Sequence, residues 1–506
     1  MEQRSTIKQV GHIKIWDRLQ PSQEWLRYFF TEDTSSGNRS TIELQHRAVW
    51  IGLALILLTP ITLDYTTYLN QFLAPVGSII PVLFTLASFY AMYMAFRPIS
   101  KKQIDQYQKH PYPRRWQKFI LICTILLTIW GAILIGRGIA LSFFLQPQFS
   151  NDGTSLDTNA AILLLQGRNP YTDSSLMELA RHFSIQPDWT TPLREGQFAN
   201  RLDYPNQTEF RSVLDTALKA GQTPEFETKV SYPALSFLTL LPFVMIGNYN
   251  VLPFYMLCYL IIIAIAWKIS RPEIRPWTLL LAIANVPMWT TAGSGNLDIL
   301  YVLFLVLAWL TYKHRWGSAI CLGLALATKQ ISWYFIPFYA IMLLRQYGWK
   351  EAIYRLVIAG SLGLAINLPF IIWNPQAWLA GVMAPIADPM FPMGVGLVNL
   401  SVGHLLPYFP ETVYSALEGL TMLAVLIWYW RICRTRPEAA MLLAVVPLFF
   451  AWRSLPSYFY CTAFPLMMLM IARLQPAPKP AFSLAGVLNL LHRNTQQSRV
   501  APPISV

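Results

Sequence analysis

Long apolar runs recur along this chain, and they constrain its fold more than any other feature. They occupy 48–63, 76–96, 119–145, 231–246, 251–267, 277–291, 297–312, 317–344, 357–373, 412–430 and 438–472. A helix of roughly 18 or more apolar residues is long enough to span the hydrocarbon core of a bilayer. Several runs reach that length, and the longest have room for two short helices. Hydropathy therefore predicts an all-α polytopic transmembrane bundle of about 11–13 spans. Composition agrees: 54% of residues are hydrophobic and 13% charged, against about 25% charged in a soluble domain.

The net charge of +13 raises nucleic acid as a partner, but its distribution argues against that. Between the second and third runs lie Arg97, Lys101, Lys102, Lys109, Arg114, Arg115 and Lys118, opposed only by Asp105. That is the composition of a short cytoplasmic loop. The segment 146–230 has the opposite bias, with eleven acidic against seven basic residues, and is placed on the extracytoplasmic side. The excess charge thus encodes topology in a multi-pass plasma-membrane protein.

Four regions follow. Residues 1–47 form a cytoplasmic tail in which Trp16, Leu19, Trp25, Leu26, Phe29 and Phe30 suggest an amphipathic helix on the membrane surface. Residues 48–118 form a transmembrane hairpin and the basic loop. Residues 119–473 form the core, interrupted by the extracytoplasmic loop 146–230. Residues 474–506 form a cytoplasmic C-terminal tail. Cys123, Cys258, Cys321, Cys433 and Cys461 all fall in or beside apolar runs without CxxC spacing, which reads as buried hydrophobes. The seven histidines show no HxH or HExxH arrangement, so neither a metal site nor a cofactor is predicted.

Polar chemistry concentrates in 151–171, Asn-Asp-Gly-Thr-Ser-Leu-Asp-Thr-Asn-Ala-Ala-Ile-Leu-Leu-Leu-Gln-Gly-Arg-Asn-Pro-Tyr. A helix over 156–166 is too short to span and is expected to lie along the outer interface. Thr154 and Asp157 fit a capping box at its start. Gly167 and Asn169-Pro170 stop it, with Asn169 pushed out of the helical region by the following proline. Asp157 then has a structural reading as a capping or helix-dipole acid. Asp152 has no evident local partner and sits where the third span leaves the membrane, so it is either a solvated loop acid, an alternative cap, or functional.

The pattern of Asp152, Ala160-Ala161, Leu164-Leu165 and Gly167-Arg168-Asn169-Pro170-Tyr171 resembles the GT-C class of membrane glycosyltransferases, and most of all its polyprenyl-phosphate-mannose-dependent α-mannosyltransferases. Ser231-Tyr232-Pro233-Ala234-Leu235, Gly295-Asn296, Ala327-Thr328-Lys329-Gln330, Gly394-Val395-Gly396 and Arg453-Ser454-Leu455 are similar to that branch in order and in their shared outer face. The resemblance covers about 137 to 460 and implies a GT-C bundle whose first outer loop carries a catalytic acid. Asp152 matches that acid, with Asp157 as the second candidate. Relative to the family the first two spans are an addition.

The resemblance further implies transfer of a hexose such as mannose from a polyprenyl-phosphate donor to an extracytoplasmic lipid or glycan acceptor. The leaving group is already good, so one carboxylate acting as base on the acceptor hydroxyl suffices. Two cations would hold the donor phosphate. Lys329 and Arg453 are the candidates, although Lys329 also reads as a snorkelling lysine. Arg453, within Phe449-Phe450-Ala451-Trp452-Arg453, lies at a depth where a charge is paired or functional. Tyr171, Tyr232, Asn296 and Gln330 complete the candidate substrate-binding set, with an interfacial aromatic belt as the commoner role for the tyrosines. Arg137, in the third span, reads as an ion-pair partner for an outer-loop acid. The rival readings are a transporter or lipid flippase, which calls for repeats and mid-bilayer charges, and a noncatalytic subunit docking through 172–229.

Overall fold

Hydrocarbon offers no hydrogen bonds, so a chain with this many apolar runs must satisfy its backbone within helices. The computed structural model describes residues 39–62, 76–109, 114–144, 152–175, 178, 191–221, 224–247 and 249–474. The proposed amphipathic N-terminal helix and most of the C-terminal tail lie outside them. Among the described residues the structure is a helical bundle whose one strand pair is two residues long.

In chain order the main helices are α1 (Arg39–Thr62), α2 (Ile79–Phe96), α3 (Arg115–Phe144), α4 (Asp152–Leu165), α5 (Gln207–Ala220), α6 (Leu252–Ile269), α7 (Arg275–Ala284), α8 (Val286–Ser294), α9 (Asp298–Leu310), α10 (Arg315–Leu326), α11 (Ile336–Tyr347), α12 (Trp349–Trp373), α13 (Pro375–Ala387), α14 (Glu411–Ile432) and α15 (Ala463–Leu474). Among the described residues, seven helical segments are long and apolar enough to cross a membrane: Ser40–Ile61, Val76–Phe96, Arg115–Ala140, Leu252–Ile269, Trp349–Trp373, Glu411–Ile432 and Ser457–Leu474. Asp298–Leu310, Arg315–Leu326 and Pro437–Phe450 are shorter apolar helical stretches.

Other apolar runs are broken by local chemistry. The run 231–246 divides into Leu235–Leu238 and Leu241–Met245, with Pro242 at the second start. The run 277–291 breaks at Asn285, whose side chain accepts from Met288 N as the cap of α8, with Pro287 following. Proline lacks the amide that a continuing helix needs.

Burial separates centre from rim. The segments Ser40–Ile61 and Ser457–Leu474 are each 72% buried, whereas Trp349–Trp373 and Glu411–Ile432 are each 17% buried. The rim helices turn Ile372, Leu364, Leu420 and Leu423 outward. A continuous apolar outer surface on so apolar a chain requires lipid around it.

The N-terminal hairpin is built into this centre. α1 packs on α2, α3, α7, α8 and α15, within one hydrophobic cluster running from Leu44 to Ile471. Arg47 is buried there. It donates to Glu43 at 3.0 Å, to the Arg97 carbonyl at 3.0 Å and to the Ala95 carbonyl. Nearby on α15, Arg473 donates to buried Glu438 at 2.9 Å.

The sequence-based placement of α4 requires correction. The helix starts at Asp152, so Thr154 and Asp157 lie inside it and form no capping box. It also does not lie along an interface, since every residue from Gly153 to Leu163 is buried. Its polar side chains find partners inside the bundle: Thr154 donates to the Gly295 carbonyl, Thr158 to the Thr154 carbonyl at 2.7 Å and Asn159 to Ser174 at 3.4 Å. Buried polar groups are tolerated when bonded in this way. The predicted stop holds. Gly167 adopts φ +73°, and extended Asn169 accepts from Tyr171 N at 2.9 Å.

The outer loop carries its own small core. Phe198, Phe210, Val213, Leu214, Ala217 and Phe226 enclose Phe391 from the bundle. Arg194 N donates to the Pro389 carbonyl and Leu193 N to the Glu225 carbonyl, each at 2.7 Å. The Arg194 guanidinium meets Glu411 at 2.9 Å.

Candidate active site

Two backbone turns organise the site. The first follows α8, where Gly295 adopts φ +82°. A Cβ there would strike Leu252 and Thr154, so only glycine admits the close approach of α4. Asn296 then accepts from Asp298 N at 2.9 Å. This turn delivers Asp298 to the first position of α9, where it is completely buried.

The second turn is Ser231-Tyr232-Pro233. Gln330 clamps it by donating to the Ser231 carbonyl at 2.6 Å and to the Val382 carbonyl at 2.7 Å. Tyr171 donates its hydroxyl to the Tyr232 carbonyl at 2.8 Å. Its ring, 1% exposed, packs on Phe237 and Phe370. Burial, with the Asp157 charge adding to it, pushes the Tyr171 phenol well above its ordinary range.

Lys329 joins the two turns. Its Nζ lies 2.7 Å from Asp298 Oδ1 and 5.0 Å from the centre of the Tyr232 ring. Asp298 Oδ2 is buried without a hydrogen-bond partner among the described residues. Burial alone would pull the Lys329 ammonium down. The Asp298 carboxylate, seconded by Tyr232, outweighs that and holds it above the ordinary lysine value. Lys329 is therefore a fixed, charged ammonium with 10% of its side chain exposed, rather than a snorkelling surface lysine. Asp298 was missed by the sequence reading. Its available signal was an acid opening an apolar helix.

Arg453 comes from a different construction. β1 (Met393–Gly394) pairs in parallel with β2 (Arg453–Ser454), with Met393 opposite Arg453. Val395 N donates to the Ser454 carbonyl at 2.8 Å, and Leu397 N to the Phe449 carbonyl at 2.9 Å. Gly394, at φ +141°, and Gly396 leave no room for a Cβ against Ser454 and the Phe449 carbonyl. The Gly-Val-Gly motif is thus the seat of the segment that holds Arg453. The guanidinium lies against the sulfurs of Met390 and Met393. Among the described residues it has no carboxylate partner, and its Nε is buried without a hydrogen bond.

Tyr458 feels the charges of Arg453, Lys329, Asp298 and Glu418. Glu418 is in turn bonded by the Tyr334 hydroxyl. Of the two candidate acids, Asp157 is fully buried and accepts from Ser236 at 2.8 Å. Asp152 is the first residue of α4, and its side chain lies outside the described residues. The contact of Thr154 with Gly295 places that end of α4 beside the turn leading to Asp298 and Lys329. Tyr171, Tyr232, Asn296, Lys329 and Gln330 are thus gathered around the two turns, while Arg453 stands apart on β2 against Met390 and Met393. Arg137 is exposed on α3 and forms no ion pair among the described residues.

The arrangement offers a fixed ammonium, an uncompensated guanidinium and a helix start bearing an acid, which suits transfer from an anionic leaving group. No curated protein and no solved structure matches the chain. Residues 231–456, which contain both cations, Asp298 and the Gly-Val-Gly seat, match the model of glycosyltransferase family 87, and this match supports a membrane glycosyltransferase over a transporter.

Proposed function

We propose that this protein transfers a hexose, such as mannose, from a polyprenyl-phosphate donor to a lipid or glycan acceptor on the extracytoplasmic side of the plasma membrane. The bond from the sugar C1 to the phosphate oxygen breaks, and a bond from C1 to the acceptor oxygen forms. The acceptor proton passes to the Asp152 carboxylate, and polyprenyl phosphate departs as the anion. Lys329 and Arg453 hold that phosphate by charge-assisted hydrogen bonds, which are roughly twice as strong as neutral ones. Tyr232 orients the Lys329 ammonium through its ring. Asn296 and Gln330 fix the two turns and thereby the geometry of the pocket.

The observation carrying this reading is the part-buried Arg453 guanidinium, which lies against methionine sulfurs and has no carboxylate partner among the described residues. A half-buried cation without an acid normally marks a functional site. A phosphate supplies the missing charge.

The test measures sugar transfer from labelled polyprenyl-phosphate-mannose in membranes, at matched expression. Wild type is expected to transfer, Asp152→Asn to be inactive, and Asp157→Asn to retain activity, since an amide still accepts from Ser236. An inactive Asp157→Asn beside an active Asp152→Asn would reassign the base to Asp157. Absence of transfer across a panel of polyprenyl-linked sugars would refute the donor.

A further inference from the structure

A cavity lies beside Pro392, next to the strand that bears Arg453. It encloses about 430 Å³ between Leu202 and Asp203 of the loop and Pro392 with 401–408 of the bundle. That volume is within the usual range for small-ligand sites, roughly 300–1,000 Å³. Its walls are held by the loop core around Phe391 and by the Arg194–Glu411 ion pair. Pro392 adjoins Met393, which pairs in register with Arg453, so the cavity opens one residue away from the strand that bears the site.

Its lining is amphipathic. Leu202, Pro392, Leu405 and Leu406 supply carbon. Ser401 is taken up elsewhere, bonding the Pro407 carbonyl at 3.0 Å and the Tyr414 hydroxyl at 2.9 Å, while the Tyr408 hydroxyl is buried with no hydrogen-bond partner among the described residues. The other polar side chains are Asp203 and His404, with Oδ1 and Nε2 3.3 Å apart and both mostly exposed. His404 is held there by a backbone at φ +58°, a region sparsely used by residues other than glycine. An acceptor-only carboxylate next to an imidazole suits hydroxyl groups, which donate to the one and exchange with the other. The apolar wall suits ring C–H faces. A phosphate would be repelled by Asp203, and one acid with one histidine is too few ligands for a structural metal.

We infer that this cavity is the acceptor subsite and binds a polyhydroxylated ring, either a sugar or a cyclitol, at the head of the acceptor. The inference rests on the glycosyltransferase reading for its purpose, but its binding is measurable without turnover. Saturation-transfer NMR on the full chain in nanodiscs uses methyl α-D-mannopyranoside and myo-inositol as separate probes. One of them is expected to bind, and the one that binds identifies the head as glycan or cyclitol. Asp203→Asn combined with His404→Gly is expected to weaken that binding at least fivefold, since glycine accepts the φ of position 404. Leu405→Trp, which fills the cavity from an exposed position, is expected to weaken it as much. Absence of binding by both probes, or equal binding in wild type and both variants, overturns the subsite. Probe binding in a protein that transfers sugar from no donor leaves the subsite standing and removes the donor assignment instead.

Discussion

Replacing Asp298 with asparagine removes the counter-charge of Lys329 while keeping the shape of the pair. The carboxylate is completely buried and the ammonium nearly so, at 2.7 Å. Orphaning one partner of such a pair costs about 3–5 kcal/mol. The protein avoids part of that cost by releasing the Lys329 proton. The sign follows from the causes. In the wild type the lysine lies above its ordinary value because Asp298 outweighs burial. Its contribution is fully present below the lysine range and is lost only as pH rises through the raised value. In Asp298→Asn burial is opposed only by the neighbouring tyrosines, and buried lysines descend to as low as about pH 5–6. The unfolded chain then binds the extra proton, so stability rises with pH. Melting in nanodiscs between about pH 6 and 9 is therefore expected to climb for the variant relative to wild type. Parallel curves for the two proteins would refute the coupling. Adding Lys329→Met to Asp298→Asn is expected to recover most of the loss, with an interaction energy near the ~3 kcal/mol upper end seen for contacting residues.

Arg453→Gln is expected to raise the KM for donor about 10- to 100-fold, the worth of one charge-assisted contact. It should barely move the melting temperature, because no acid is orphaned, and donor titration with parallel thermal melts checks both. Gly394→Ala forces a Cβ into the Ser454 carbonyl at a φ that alanine disfavours. It should abolish activity and lower stability by more than ~1 kcal/mol, and Gly396→Ala should behave alike in the same assays. Phe391→Ala opens the loop core at a cost of about 3–5 kcal/mol, to be read as faster proteolysis within 191–227 while the bundle stays protected. Glu209→Gln removes an exposed pair with Arg201 and should leave melting unchanged within error. Glu209 is held below the usual carboxylate range mainly by its hydrogen bonds from Arg201, so any small stabilisation it gives is lost as pH falls through that lowered value.

Local signals were legible in the chain, and long-range partners were not. The helix stop at Gly167–Asn169 could be read because glycine and the residue before proline dictate their own backbone. The Gly394-Val395-Gly396 motif was visible as a motif, but its reason lies in the Phe449–Ser454 segment, about sixty residues away. The shortness of the predicted helix suggested an interface, and the Gly295 and Ser236 partners that satisfy Thr154 and Asp157 inside the bundle come from elsewhere in the chain. Lys329 was recognised as a candidate, but its partner Asp298, on another helix, was not. Two of the predicted substrate contacts, Tyr171 and Gln330, have their donor groups on backbone carbonyls, a use that no side-chain pattern announces.

The packing of α1 against α15 bears on how the protein is made. Segments enter the bilayer in the order of synthesis, yet the surface that receives the first described helix is completed by the last one. Until α15 is delivered, the face of α1 that it covers must be sheltered by lipid or by the insertion machinery. A chain interrupted before Ala463 should accordingly leave its early helices incompletely assembled and exposed to membrane quality control, even though every proposed site residue up to Arg453 has already been synthesised.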